Sequence, residues 1–283
     1  MMFVSHSQRS LLLFRLSTLL LVAPFVASVA RAETTPPTHS RVELIADQDS
    51  KSPNHPLSVG VLFHLDPGWH VYWQNAGDSG EPPKIQWMLP SGFRAGSPQW
   101  PTPSRLGSGT IIDYGYENQL LLIVPIETPK TSQLSHEQRV QLAAAVKYLV
   151  CRDICVPAKA SLTLSLPVAA SGQSSEWPAL FRQARAQLPK PAPKTWSISA
   201  QSSQDHFILS VHNSTSAKSA TFFPLEPSVI ENSAPQAFTA TKDSLQLTLK
   251  KSDQLMKQPA VLKGVLVLDG NRSYEIAARI ASK

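Results

Sequence analysis

Cys151 and Cys155 are the only two cysteines in the 283-residue chain, and they stand four positions apart. Two thiols this close can close a disulfide, exchange it with another thiol, or share a soft metal ion. In one straight strand their Cα atoms would lie roughly 13 Å apart at about 3.3 Å per residue, whereas a bridge needs roughly 7 Å or less. A turn is therefore expected at Arg152, Asp153 and Ile154. Before it, Leu142, Ala144, Val146, Tyr148 and Val150 share one face; after it, Leu162, Leu164 and Leu166 alternate with Ser161, Thr163 and Ser165. Both flanks read as half-buried strands. The expected unit is a β-hairpin with a short cross-strand disulfide at its tip.

One reading of such a bridge is a structural staple, which is ordinary in an exported protein. Ring size argues against it, because a bridge over three intervening residues restricts the unfolded chain less than one joining distant segments. Strained short bridges are also the more easily reduced ones, and labile bridges serve exchange or regulation. Redox work is favoured on these grounds. Arg152 would stabilise a thiolate and Asp153 would oppose it, so the sequence leaves the acidity of the thiols open.

The elements that must position this pair follow from the rest of the chain. Residues 1–32 have a basic start, an apolar run from Leu16 to Val29 and the small-residue pattern Ala30-Arg31-Ala32, which together predict a cleaved secretory signal peptide. That segment carries three basic residues and no acidic one, so the formal charge of +6 falls to +3 on cleavage. With no basic run or stripe in the remainder, nucleic acid is not an expected partner. The 24 prolines exceed an average share of about 5 %. Short alternating strands are expected at 41–46, 57–65, 70–73, 85–88 and 118–126, then at the hairpin, with Pro, Gly, Asn and Asp between them. This spacing predicts a β-sandwich over residues 33–167. Residues 168–195 read as a connector holding one helix over 176–188, capped by Ser175, and the stiff run Pro189 to Pro193. A second, cysteine-free β series at 206–212, 220–223, 236–241, 244–249, 262–268 and 273–280 predicts another domain over 196–283. The fold class is thus all-β, two sandwiches joined by a linker with one short helix.

Eight of the eleven Trp and Tyr residues lie between Trp69 and Tyr148. Among them, Asp113-Tyr114-Gly115-Tyr116-Glu117, preceded by Gly107 and Gly109, reads as a loop whose rings need a surface to cover. The reactive pair is a candidate for that surface.

PGWHVYWQNAGD (67–78), QWPTP (99–103), DYGYE (113–117) and LVCRDICVP (149–157) together resemble the N-terminal periplasmic domain of the thiol:disulfide interchange protein DsbD, in its larger ScsB-like form. FFP (222–224), GVLVL (264–268) and YEIA (274–277) resemble the cysteine-free second domain of that branch. The resemblance implies immunoglobulin-like sandwiches and a Cys151/Cys155 pair that carries electrons from a membrane thiol transporter to oxidised periplasmic proteins. It implies that Asp113 to Glu117 is a cap loop, that His70 and Tyr72 lie near the pair, and that Cys155 forms the mixed disulfides. Cytochrome c maturation and copper tolerance are the processes it associates with such a relay. DsbD and ScsB continue into membrane helices and a thioredoxin-like domain, and this sequence reaches Lys283 without either. Apolar runs after residue 32 fall far short of the ~20 residues a membrane helix needs, and no dinucleotide loop is present. The expectation is a periplasmic protein with no cofactor and no resident metal, recharged by a separate membrane partner.

Two other classes remain. A copper-handling protein would use both thiolates with His70 as third ligand. A plain β-sandwich binding module would keep the disulfide as a staple.

Overall fold

The computed structural model describes residues 39–51, 56–107, 109–128, 139–169, 174–213 and 216–281. The signal peptide expected at 1–32 lies outside them. Thr38–Lys283 forms one compact unit. Among the described residues no helix is long and apolar enough to cross a membrane.

Two sheets face each other across the first core. One contains β1 (Ser40–Ala46), β2 (Leu57–Leu65), β5 (Arg94–Ala95) and β8 (Gln119–Glu127), in the antiparallel order β1-β2-β8-β5. The other contains β3 (His70–Gly77), β6 (Ser104–Leu106), β7 (Asp113–Glu117), β9 (Arg139–Cys151) and β10 (Cys155–Pro167), in the order β10-β9-β3-β7-β6, with β4 (Lys84–Met88) also paired to β9. Alternation decides which side chains go in. Val59, Val61 and Phe63 of β2 and Leu120, Leu122 and Val124 of β8 meet Val71 and Trp73 of β3 and the Val140, Leu142, Ala144, Val146 row of β9. The residues between the inward ones on β3 and β9 carry the chemistry described below.

Helix α1 (Pro178–Ala186) covers the outside of the first sheet, setting Phe181 and Ala184 on Ile45, Leu62, Leu121 and Ile123. β2 and β8 are consequently buried on both faces. The helix begins two residues later than expected, because a proline at its first position disfavours helical geometry at Trp177. Ser175 does not cap it; the Ser175 hydroxyl instead accepts the Trp177 N–H at 3.1 Å.

The remaining strands build a third sheet. It comprises β11 (Lys190–Pro191), β12 (Ser197–Ser202), β13 (His206–His212), β14 (Ala220–Pro224), β15 (Ala237–Ala240), β16 (Ser244–Lys250), β17 (Val261–Leu268) and β18 (Arg272–Ala281). Its order is β14-β17-β18-β12-β13-β16-β15, with β11 parallel to β18. The sheet curls over its own core of Phe207, Leu209, Leu247, Leu266 and Phe222. Its two edges approach closely enough for Gln236, just before β15, to clamp Phe222 of β14 through both backbone polar groups at 2.7 and 2.9 Å.

β14 and β17 serve two cores at once. Phe222, Leu266 and Leu268 point into the third sheet's own core, while Phe223, Val265 and Val267 point into that of the first sandwich. The Phe223 ring stands edge-on to Tyr114 at 5.1 Å and to Trp73 at 6.3 Å.

Candidate functional site

β9 and β10 form a long hairpin that registers Arg139 against Pro167 at one end and Cys151 against Cys155 at the other. The two cysteines are joined by a disulfide with a Cα–Cα distance of 4.1 Å. Arg152, Asp153 and Ile154 make the tip, closed by an Arg152 N–H to Ile154 carbonyl hydrogen bond of 3.0 Å. The strand pattern treats the cysteines unequally. Cys151 continues β9 into the sheet, where His70 of β3 is its register partner, and it is 2 % exposed. Cys155 starts the edge strand β10 and is exposed.

His70 and Tyr72 alternate with the inward Val71 and Trp73, so they project from the outer face of the sheet beside the pair. The Tyr72 hydroxyl lies 3.4 Å from Cys155 Sγ and 3.4 Å from Ser79 Oγ. Burial raises the Tyr72 pKa, so at neutral pH this hydroxyl is a donor. The His70 ring meets Tyr72 edge-on at 5.1 Å, and its Nε2 has no hydrogen-bond partner. Burial lowers the His70 pKa, against the opposing pull of Asp113 and Glu117, so the ring is neutral at pH 7.

A short loop after β3 completes the outer face. Gly77, at φ 91°, lets the chain turn where a Cβ would lie 2.5 Å from the Ile112 carbonyl oxygen. Ser79 then donates its N–H and its hydroxyl to the Asp113 carboxylate at 2.9–3.0 Å. Gly80, at φ 69°, lies against the Tyr72 ring, and a Cβ there would collide with it. Asp113 is 3.8 Å from His70 Nε2. Ser79 gives its one hydroxyl proton to Asp113, so the Tyr72 proton is shared between Ser79 Oγ and Cys155 Sγ, and the four residues form one polar chain.

The expected cap loop is different in kind. Asp113–Glu117 is strand β7, paired to β3 and β6. Pairing on both sides forces alternation, so Asp113, Gly115 and Glu117 take the outer face while Tyr114 and Tyr116 turn inward. Tyr114 donates to Asn232 at 2.8 Å and Tyr116 to the Pro101 carbonyl at 2.6 Å. Their rings cover the core rather than the disulfide. What lies over Tyr72 is the loop at Ser79 and Gly80, whose signal in the sequence was the close pair of glycines, Gly77 and Gly80, at the end of the aromatic strand.

Arg152 and Asp153 are paired to each other at 3.0 Å at the exposed tip. The Arg152 guanidinium also sits 5.3 Å over the Trp69 ring, which stacks on His39 at 3.8 Å. Among the described residues no group of three His, Cys, Asp or Glu side chains is arranged to hold a metal ion.

Residues 41–167 match the family model described as thiol:disulfide interchange protein DsbD, N-terminal. That segment, 127 of the 283 residues, is similar to the DsbD N-terminal family. Both cysteines, His70, Tyr72, Ser79 and Asp113 fall inside it. The N-terminal periplasmic domain of ScsB from Proteus mirabilis has the same fold at a TM-score of 0.65 and 20 % identity, covering 88 % of this chain and 97 % of that one. The human Desmocollin-1 ectodomain overlaps at a TM-score of 0.18 and 10 % identity over 89 % of this chain and 53 % of that one, which supports nothing. No curated protein matches the chain. The DsbD-type segment is therefore an immunoglobulin-like sandwich with a disulfide at its hairpin tip, the arrangement of a thiol–disulfide interchange domain.

Proposed function

We propose that this protein is a periplasmic thiol–disulfide interchange module in which Cys155 forms the mixed disulfides and Cys151 resolves them. The observation that carries this is the asymmetry of the pair: an exposed Cys155 beside a phenol donor, and a buried Cys151 directly across the hairpin. In the reduced protein the Cys155 thiolate attacks a disulfide of an oxidised periplasmic partner, joining to one sulfur and releasing the other as a thiolate. Cys151, as thiolate, then attacks Cys155 Sγ, re-forms the internal disulfide and releases the second partner thiol. Two electrons leave the module, and the partner's two thiolates take up protons. Tyr72 supports the first step by donating to Cys155 when it is anionic, which favours the thiolate.

Recharging runs the same exchange backwards. A thiolate of a membrane thiol transporter attacks Cys155, and Cys151 leaves as thiolate. Cys155 is the reachable sulfur in both directions, so donor and acceptor compete for one face.

Trapping tests the reading. Cys151→Ala leaves the attacking thiol without its resolver and should accumulate mixed disulfides with thiol proteins in cells. Cys155→Ala should accumulate about tenfold fewer or none. Equal trapping by both variants, or by neither, overturns the assignment.

A further inference from the structure

The third sheet has no cysteine, yet one of its side chains binds the chain neighbours of two members of the polar chain around Cys155. Asn232 is 5 % exposed and follows the bridge from Ile230 to Lys251 at the end of the curled sheet. Its Nδ2 donates to Asp78 Oδ1 at 2.7 Å, and its Oδ1 accepts the Tyr114 hydroxyl at 2.8 Å. Its carbonyl oxygen accepts Arg105 Nη2 at 2.5 Å. Asp78 in turn accepts the Ile112 N–H at 2.8 Å on its other oxygen. The two side chains that Asn232 holds are the chain neighbours of the two residues that bracket Tyr72. Asp78 precedes Ser79, and Tyr114 follows Asp113.

We propose that Asn232 is a positioning residue for the interchange site: through Asp78 and Tyr114 it fixes the Ser79–Asp113 pair, and so the loop at Ser79 and Gly80 that holds the Tyr72 ring beside Cys155. The cysteine-free sheet is then part of the redox site, setting thiol acidity from a distance. Asp78 is exposed and sits on a loop, and besides Asn232 its carboxylate accepts the Ile112 N–H. Polar networks of this kind lose more than one bond when a member is removed, because each donor orients the next. This inference rests on the interchange reading for its biological meaning, but its measurable content is the acidity of one thiol.

The test is the pH profile of iodoacetamide alkylation at Cys155 in the reduced full chain, resolved by mass. In Asn232→Ala the Tyr72 ring is less firmly held, and the thiolate loses part of one donor. The alkylation midpoint should rise by about half a pH unit or more, leaving about threefold less thiolate at neutral pH. Asn232→Leu, of similar volume, should give the same rise should the alanine variant fold poorly. Thr102→Ala is the control, since Thr102 also bridges to the third sheet, through Ser273 at 2.7 Å, without touching the polar chain. It should leave the midpoint in place. An unchanged or lowered midpoint in the Asn232 variants, or an equal rise in Thr102→Ala, overturns the proposal. Failure of the wild-type protein to exchange with protein thiols would instead count against the interchange reading and leave the midpoint comparison standing.

Discussion

The strands of the third sheet differ according to what they face. On β13 and β16 every second residue is buried and the ones between are exposed or half-buried, as expected for a sheet with one wet side. On β17 the run Gly264 to Leu268 is buried without a break, because its odd residues enter the core of the first sandwich. The half of the sheet that meets the first sandwich is therefore built as an interior, and the far half as a surface. The cysteine-free part is therefore not a module hung on a tether. Its contact with the redox sandwich is apolar at Phe223, Val265 and Val267 and polar at Asn75 and Asn232, where Asn75 donates to the Pro224 carbonyl at 2.8 Å.

Phenylalanine truncation probes this contrast with the largest expected effect. Phe223→Ala removes a ring packed edge-on against Tyr114 and Trp73, and Phe207→Ala removes one packed in the third sheet's own core. Each should cost about 3–5 kcal/mol, the usual range for a buried phenylalanine. If the first sandwich and the third sheet fold as one unit, both variants lower a single denaturant transition, followed equally by tryptophan fluorescence and by circular dichroism. Separate transitions for Phe207→Ala, with the first sandwich unmoved, would show that the two parts fold independently.

The alternation of Leu142, Ala144, Val146 and Val150, and the four-residue spacing of the cysteines, were enough to predict the hairpin that the structure contains, because both are local signals with period two. The β17 run also announced a strand, but not which core each of its sides enters, since a continuous apolar stretch does not say what covers its second face. Asp113–Glu117 failed for a related reason. Glycine and two tyrosines between acidic residues look like a loop until partners on both sides are known, and β3 and β6 are 36 and 7 residues upstream by their nearest ends. Ser79 and Asn232 carry no motif. Their roles come from hydrogen bonds to residues 34 and 118 positions away, and spacing along the chain cannot express those.

Reducing the disulfide should have a smaller effect than emptying either core. A five-residue ring contributes about 2 kcal/mol in the chain-entropy model, against about 5–15 kcal/mol for a typical domain. Reductant should therefore lower Tm by about 4–8 °C and leave a cooperative transition. Loss of cooperative unfolding in reductant would return the bridge to a staple and remove the functional difference between the first sandwich and the third sheet.

The smallest expected effect concerns His70, whose neutral ring sits in the redox sandwich among Tyr72, Asp113 and Glu117. Its folded-state pKa lies below the unfolded value of 6.5, chiefly through burial. Above pH 6.5 the ring is neutral in both states and contributes no pH dependence. As pH falls through 6.5 the unfolded chain binds a proton that the folded one still refuses, so stability declines until the lowered folded pKa is reached. Asp113 and Glu117 oppose burial, which keeps the decline modest. His70→Asn removes the titrating ring while keeping a polar side chain. Urea midpoints at pH 7.5, 6.0 and 5.0 should therefore show the wild type losing stability relative to this variant as pH drops. A wild-type to variant difference that stays constant across that range would mean that His70 binds its proton as readily in the fold as in water, and that the pocket beside Cys151 is wetter than its burial implies.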